Sequence, residues 1–149
     1  DWCFVLDADN YLLSTAIEKC FACTLSASDK LAVVHPLIGL KSEIPNDSNL
    51  ENSLVGGYSW QRRQFISSNC LDAMALVSRT AWRAVFGYTH IEGGWEDYDF
   101  WCKLIEAGYH GVQSPYILGI YRKHVKSMTQ MESNRKRKSL QLILKSRHP

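Results

Sequence analysis

Long hydrophobic runs are missing from this sequence, although 46% of its 149 residues are hydrophobic. None approaches the roughly 20 consecutive apolar residues needed to cross a bilayer, so the sequence predicts no transmembrane segment. Cysteine is also sparse, and the five cysteines, at positions 3, 20, 23, 70 and 102, are odd in number and irregularly spaced. That pattern argues against a disulfide scaffold and favours a reducing, cytoplasmic compartment. The composition is that of a globular domain with a hydrophobic core.

Positive and negative charges are unevenly distributed along the chain. Residues 1–121 contain 8 Lys/Arg and 14 Asp/Glu, whereas residues 122–149 contain 9 Lys/Arg and 1 Asp/Glu. The acidic body suits a site that collects cations, and the basic tail suits phosphates or an anionic membrane surface. A solvated helix face is the alternative interpretation of the basic run at 135–138. No aromatic residue interleaves with this run, so nucleic-acid binding is not expected.

Apolar runs alternate with helical patterns, which predicts an α/β architecture. Short apolar runs favour strands at 2–6, 31–35, 73–77 and 116–121. Spacing of 3.6 residues and end signals favour helices at about 12–24, from Ser78 or Thr80 to Gly87, at about 96–107, and at about 132–146. The run at 2–6 reads as a fully buried central strand, so we expect this chain to be the C-terminal part of a larger domain. An unpaired sheet edge would then favour a homodimer.

Two aspartates, Asp7 and Asp9, follow the first predicted strand. Open α/β sheets bind their ligands at the ends of strands. Carboxylates at this spacing suit Mg²⁺ or Mn²⁺, which commonly bind one or two protein carboxylates together with substrate phosphates. An Asx-turn or helix cap formed by Asp9 or Asn10 is the structural alternative, and it is compatible with metal binding.

A second cluster of acidic residues lies at the start of the helix predicted at 96–107. Gly93 and Gly94 allow a close backbone approach, and Glu96 and Asp97 project about 100° apart on the helix. One of these carboxylates can therefore hold a substrate while the other takes a proton. Ordinary enrichment of acids in the first helical turn is the alternative.

Further polar side chains admit two interpretations each. Arg122 and His124 follow the last predicted strand, where Arg122 suits a phosphate and His124 suits a metal ion or is a surface histidine. Cys20 and Cys23 lie on a predicted helix without a second ligand pair, so we interpret them as core residues rather than zinc ligands. The segment 41–57 predicts a long loop.

Taken in order, these motifs resemble the inverting GT-A glycosyltransferases of family-2 type. The matching segments, within about residues 2–128, are Phe4-Val5-Leu6-Asp7-Ala8-Asp9-Asn10, Asn69 through Arg79 to Gly87, Gly93-Gly94-Trp95-Glu96-Asp97-Tyr98-Asp99, Gly108-Tyr109 and Tyr121-Arg122-x-His124-x-x-Ser127-Met128. Several motifs in the right order are more specific than any one of them. The resemblance implies the C-terminal portion of a GT-A domain, with a Rossmann-like, mixed but mostly parallel sheet flanked by helices.

The resemblance also implies where a donor and its metal bind. Asp7 and Asp9 match the DxD motif that binds Mn²⁺ or Mg²⁺ on the diphosphate of a nucleotide-sugar. His124 matches a late histidine that reaches the metal or the diphosphate, and Arg122 is expected at the donor diphosphate.

On the acceptor side, Asp97 matches the general base that deprotonates the acceptor hydroxyl for in-line attack. Glu96, Trp95, Gly94 and Asn69 are expected to bind the acceptor. A single displacement of this kind inverts the anomeric configuration.

The implied activity moves a sugar, expected from a UDP-sugar, to a carbohydrate or glycolipid hydroxyl in polysaccharide or glycolipid synthesis. Residues 1–128 would form the metal- and acceptor-binding part, the nucleotide-binding half is expected upstream, and residues 129–149 would form a basic helix or tail. The chain is expected to need that upstream half for activity. The QxxRW element of processive synthases is missing, so transfer of single sugars is expected, in the cytoplasm or at the cytoplasmic face of a membrane.

Two alternative functions fit the same residues. A degenerate, non-catalytic transferase-like module would bind metal without turnover. A metal-dependent nucleotidyltransferase would use Asp7 and Asp9 for the same diphosphate chemistry, but it has no evident need of a base at Asp97.

Overall fold

A mixed β-sheet with helices on both faces organises the chain. The computed structural model describes residues 1–25, 28–44, 53–125 and 133–148. The strands in these ranges are β1 (Trp2–Phe4), β2 (Tyr11–Leu12), β3 (Leu31–Ser42), β4 (Leu54–Val55), β5 (Leu76–Ser78) and β6 (His110–Lys123). The helices are α1 (Ala16–Ala22), α2 (Arg62–Phe65), α3 (Arg79–Ala84), α4 (Glu96–Glu106) and α5 (Asn134–Arg147). None of these helices is long and apolar enough to cross a membrane.

The strands form one sheet in the order β1-β5-β3-β6-β2, and β4 pairs with β3 beside this path. Within the described ranges, β3 and β6 run parallel, while the other four pairings are antiparallel. The prediction of a mostly parallel sheet is therefore wrong for this part of the chain. Hydrophobic runs indicate where strands lie but carry no information on their direction.

The predicted central strand lies elsewhere. In the described ranges β1 pairs only with β5, and Cys3 is exposed, so the prediction of a fully buried strand at 2–6 is wrong. β3 occupies the centre of the sheet, and its first six residues are all buried. A continuous apolar run fits a central strand and a partly covered edge strand equally well, so periodicity could not distinguish them.

Successive residues along a strand point to opposite faces of the sheet and pack into different parts of the core. Val33 belongs to one buried cluster and Val34 to another, as the alternation of side chains along a strand requires. One cluster packs α1 against the sheet through Ala16 and Cys20, which confirms Cys20 as a core residue. The other cluster packs α3, α4 and α5 through Ala81, Phe100, Trp101, Leu104, Leu140 and Leu144.

Predicted and observed elements differ mainly at their ends. The helix predicted at 12–24 spans Ala16–Ala22, and the strand predicted at 116–121 spans His110–Lys123. Both ends of the loop predicted at 41–57 belong to β3 and β4, while residues 45–52 lie outside the described ranges. Ser127 and Met128 of the last motif also lie outside them.

The basic helix α5 is joined to α4 by a buried charge. Asp99 has no exposed surface, and its Oδ1 accepts a hydrogen bond of 2.5 Å from Arg147 Nε. Lys103 Nζ lies 3.3 Å from Asp99 Oδ2, and His148 Nε2 lies 3.0 Å from Oδ1. Burial alone raises the pKa of Asp99, but the bonds from Arg147, His148 and Thr89 outweigh it and lower that pKa to about 2. The C-terminal end of α5 is therefore held in place by an ionised carboxylate inside the protein.

The indole ring of Trp60 packs directly against Gly111 of β6. A Cβ added to Gly111 would lie 2.4 Å from Trp60 Cε3. Trp60 in turn contacts Phe65 and Trp101, with ring centroids 5.0 Å and 6.0 Å away. This aromatic group closes the core on the side of the sheet that carries α4 and α5.

Candidate active site

The two acidic motifs, far apart in sequence, line one cleft of about 850 Å³. The predicted site residues along its wall are Asp7, Asp9, Asn69, Gly94, Trp95, Glu96 and Asp97. The cleft thus brings together two of the three predicted metal ligands, the predicted base and the predicted acceptor-binding residues.

The order of the strands explains where the aspartates lie. Because β1 and β2 lie at opposite edges of the sheet, the segment that joins them and carries Asp7 and Asp9 runs from one edge to the other. Antiparallel pairing of β2 with β6 brings the start of β2 to the end of β6. Asn10 ties these ends together, since its Oδ1 accepts from Arg122 N at 2.9 Å and its Nδ2 donates to Asp7 Oδ2 at 3.4 Å.

The predicted histidine ligand reaches the same segment. His124 follows β6, and its Nε2 lies 3.0 Å from Asp9 Oδ2. His124 contacts Asp9 but is not itself among the cleft-lining residues. Two of the three predicted metal ligands are therefore in direct contact across the sheet edge.

Asp72 is a further carboxylate of the cleft, and the sequence patterns did not single it out. Antiparallel pairing of β1 with β5 places the residues before β5 beside the residues after β1. Asp72 therefore lies near the Asp7 segment, where its Oδ1 accepts from Met74 N at 2.9 Å. Burial, and then the charges of Asp7 and Asp9, raise the pKa of Asp72 to about 6. Only the strand pairing, which the sequence did not reveal, could have identified it.

Asp7 and Asp9, the carboxylates predicted to bind Mg²⁺ or Mn²⁺, lie at this end of the cleft. Burial, followed by the charges of Asp9 and Glu96, raises the pKa of Asp7, although a hydrogen bond from Asn10 opposes this. Uncompensated negative charge of this kind is what a divalent cation relieves, and carboxylate oxygens with an imidazole suit Mn²⁺ or Mg²⁺. Asp7, Asp9 and His124 are the residues that would hold it. Among the described residues, no three His, Cys, Asp or Glu side chains already converge on one ion position.

Asp97 is positioned by the turn that precedes α4. Gly93 and Gly94 have φ values of 99° and 101°, and Trp95 follows at 71°, so three successive residues adopt a left-handed backbone before the helix begins. A left-handed tryptophan is uncommon and costs free energy, which is typical of functional sites. The turn directs Asp97 into the cleft, where its Oδ2 accepts from Asn69 Nδ2 at 2.7 Å.

The environment of Asp97 brings its titration close to neutral pH. Burial raises the pKa of Asp97 to about 7. Hydrogen bonds from Asn69 and from Tyr98 N, the latter 2.8 Å from Asp97 Oδ1, lower the pKa, while the charges of Asp72 and Glu96 raise it. The carboxylate can therefore gain and lose a proton near pH 7.

Arg122 lies apart from the other predicted residues. Its Nε and one terminal nitrogen donate to the two carboxylate oxygens of Glu43 at 2.9 Å and 3.2 Å. The side chain does not line the cleft. Its expected contact with a donor diphosphate stays a prediction.

Two cations that sequence reasoning did not single out line the cleft. They are Lys123, at the end of β6, and Arg137, on α5. The basic run at 135–138 is conspicuous in the sequence, yet nothing in it indicates which of its four cations faces the carboxylates. That choice depends on the rotation of α5 about its axis, which the buried residues Leu140 and Leu144 set.

No family model matches the chain, and no curated protein matches it either. The functional interpretation therefore depends on the motifs and on the geometry of the cleft.

Proposed function

We propose that this chain forms the metal- and acceptor-binding part of an inverting, GT-A-type glycosyltransferase. The reaction moves a sugar from a nucleotide-sugar, expected to be a UDP-sugar, to a hydroxyl of a carbohydrate or glycolipid. One observation carries the proposal: the pair Asp7 and Asp9 lines the same cleft as Asp97, whose carboxylate is held by Asn69.

Asp97 is the general base of the proposed reaction. A pKa of about 7 lets the carboxylate be ionised at neutral pH and still accept a proton readily. The bond from Asn69 orients one oxygen and the bond from Tyr98 N orients the other, so the carboxylate is fixed before an acceptor arrives. A fixed base close to the acceptor hydroxyl lowers the entropic part of the barrier.

Asp7, Asp9 and His124 serve the donor. These residues would hold a divalent cation, whose positive charge would stabilise the diphosphate leaving group. Asn10 keeps this segment in place through its bonds to Asp7 and to the backbone of β6.

The acceptor lies between Glu96 and Trp95 in this proposal. Glu96 lines the cleft beside Asp97 and can accept hydrogen bonds from sugar hydroxyls. The indole of Trp95 offers an apolar face to the C–H groups of a sugar ring, and its ring centroid lies 5.7 Å from that of Tyr98. Gly94 leaves room for the acceptor at the same turn.

The cost of burying Asp97 supports catalysis over a purely structural module. A partly buried carboxylate with a raised pKa destabilises the fold when ionised, and such groups concentrate at functional sites. A nucleotidyltransferase would need the Asp7 and Asp9 pair but has no evident need of a base at Asp97. We expect the enzyme to add single sugars in the cytoplasm or at the cytoplasmic face of a membrane.

A Mn²⁺ titration of this chain, with and without UDP, tests the metal and donor part of the proposal. We expect UDP to strengthen Mn²⁺ binding, and we expect the double variant Asp7→Asn/Asp9→Asn to lose that effect. Asp29→Asn is a matched control, since it removes an exposed carboxylate outside the cleft. Mn²⁺ binding that UDP does not change would contradict a shared metal–diphosphate site.

An assay of sugar transfer tests the assignment of Asp97 as the general base. In the enzyme that contains this chain, Asp97→Asn should abolish sugar transfer while leaving binding of Mn²⁺ and UDP within about twofold. Retained transfer in Asp97→Asn would remove the base assignment. Metal and UDP binding without turnover in the unaltered protein would instead favour the non-catalytic module.

A further inference from the structure

The start of α5 forms part of the cleft wall, and this part carries a cation in the same cavity as the carboxylates. Ser133, Asn134 and Arg137 contribute to the lining from this side. Asp7, Asp9, Asp72, Glu96 and Asp97 contribute from the sheet and from α4. Opposite charges therefore lie on different walls of one cavity.

The α5 wall is held at both ends. At its start, Ser133 Oγ donates to Gly93 O at 2.8 Å, and Lys136 Nζ lies 2.8 Å from Glu92 Oε1. Gly93 permits this approach, because a Cβ there would lie 2.7 Å from Lys136 Cδ. At its end, the bond from Arg147 to buried Asp99 anchors the helix. The backbone of α5 between these two contacts is therefore fixed, and this part of the helix carries Arg137 at the cleft.

The guanidinium of Arg137 is the positively charged group on this wall of the cleft. In the described part of the chain this guanidinium has no hydrogen bond or ion pair, whereas Arg122 donates to Glu43 from its Nε and from one terminal nitrogen. A guanidinium with its donors available matches the geometry of phosphate oxygens and binds them through two parallel hydrogen bonds. Carboxylates within the same cleft leave the donors of Arg137 unused, so an incoming anion can take them.

We propose that Arg137 binds a phosphate group of a substrate inside the cleft. This inference rests on the proposed function and deepens it: Arg137, rather than Arg122, supplies the protein cation for the phosphate. Two sources have this chemistry, the diphosphate of the nucleotide-sugar donor and a phosphate carried by the acceptor.

Two binding measurements on the chain distinguish these sources. The first is the affinity for inorganic pyrophosphate in the presence of Mn²⁺, and the second is the affinity for inorganic phosphate when pyrophosphate is saturating. Each is made on the wild type, on Arg137→Met and on Lys138→Met. Lys138→Met is the matched control, because it removes one exposed positive charge from the same helix at a position that does not line the cleft.

We expect Arg137→Met to weaken binding about tenfold or more, the effect of losing a charge-assisted bidentate contact, and Lys138→Met to change it less than twofold. A loss in the first measurement identifies the donor diphosphate, and a loss confined to the second identifies an acceptor phosphate. Thermal unfolding of Arg137→Met should match that of Lys138→Met, since neither side chain has a hydrogen bond or an ion pair in the described part of the chain.

Equal affinities of Arg137→Met and Lys138→Met in both measurements would overturn the assignment of Arg137. If Asp7→Asn/Asp9→Asn still abolished Mn²⁺-dependent pyrophosphate binding in that case, the proposed function would stand without Arg137. A wild-type chain that binds neither anion would overturn both proposals.

Discussion

Replacement of Asp97 by asparagine should make the protein more stable at alkaline pH, although the proposed activity is lost. The carboxylate has a pKa of about 7 in the fold against its ordinary value of 3.8, so the folded state binds its proton more tightly than the unfolded state does. Ionisation therefore costs stability, and this cost grows as the pH rises from about 4 to about 7 and is constant above that. Asparagine cannot ionise and avoids the cost.

The size of this difference in stability follows from how far the pKa of Asp97 is raised. About 3 pKa units at 1.36 kcal/mol each correspond to at most about 4 kcal/mol of unfolding free energy. Asparagine has a single acceptor oxygen, so it gives up one of the bonds from Asn69 and Tyr98 N, at a cost of about 1 kcal/mol. We expect Asp97→Asn to be about 3 kcal/mol more stable than the wild type at about pH 8.5 and within about 1 kcal/mol of it at about pH 4.

Urea unfolding of both proteins at several pH values measures this difference. Titrating groups far from Asp97 act alike in the two proteins, so the difference reports Asp97 together with its charge coupling to Asp72 and Glu96. Asp29→Asn serves as the exposed control and should show the pH dependence of the wild type. A difference between wild type and Asp97→Asn that stayed constant from about pH 4 to about pH 8.5 would refute a raised pKa of Asp97.

Three further predictions test the site and its supports. Asn69→Ala removes a bond that favours ionised Asp97, so the acidic limb of the pH–rate profile of transfer should move to higher pH; an unmoved limb would argue against their coupling. Arg147→Met leaves buried Asp99 with weaker partners and should cost about 3 kcal/mol in urea unfolding, with a loss under about 1 kcal/mol contradicting the role of this pair. Gly111→Ala pushes a methyl group into the indole beside β6 and should lower the unfolding free energy by about 1–3 kcal/mol, whereas no change by calorimetry would mean that the ring moves away freely.

The acidic cleft also explains why stability and the proposed activity oppose each other here. Five carboxylates line one cavity, and the pKa values of Asp7, Asp72 and Asp97 are all raised. Each therefore destabilises the fold as it ionises. Bound Mn²⁺ or Mg²⁺ should recover part of this free energy, so thermal unfolding in the presence of the metal should occur at higher temperature than in its absence.

Local patterns in the sequence determined much of this protein by themselves. The acidic first turn of α4, the serine that caps α3 and the basic helix α5 all depend on neighbours within a few residues, and the structure confirms each of these elements. The chemical character of Asp7, Asp9, Glu96 and Asp97 was likewise readable, because side-chain type and spacing suffice to suggest metal binding and proton transfer.

The tertiary structure alone decided which of these residues meet. The direction of β1 and β5 brings Asp72 to Asp7, the pairing of β2 with β6 brings His124 to Asp9, and neither follows from hydrophobic periodicity. The same reason explains the errors on the parallel sheet and on β1, since a strand's partners lie far away in sequence. Arg137 lines the cleft only because α5 is packed and clamped onto α4, and long-range packing of that kind is not encoded in any short segment of the chain.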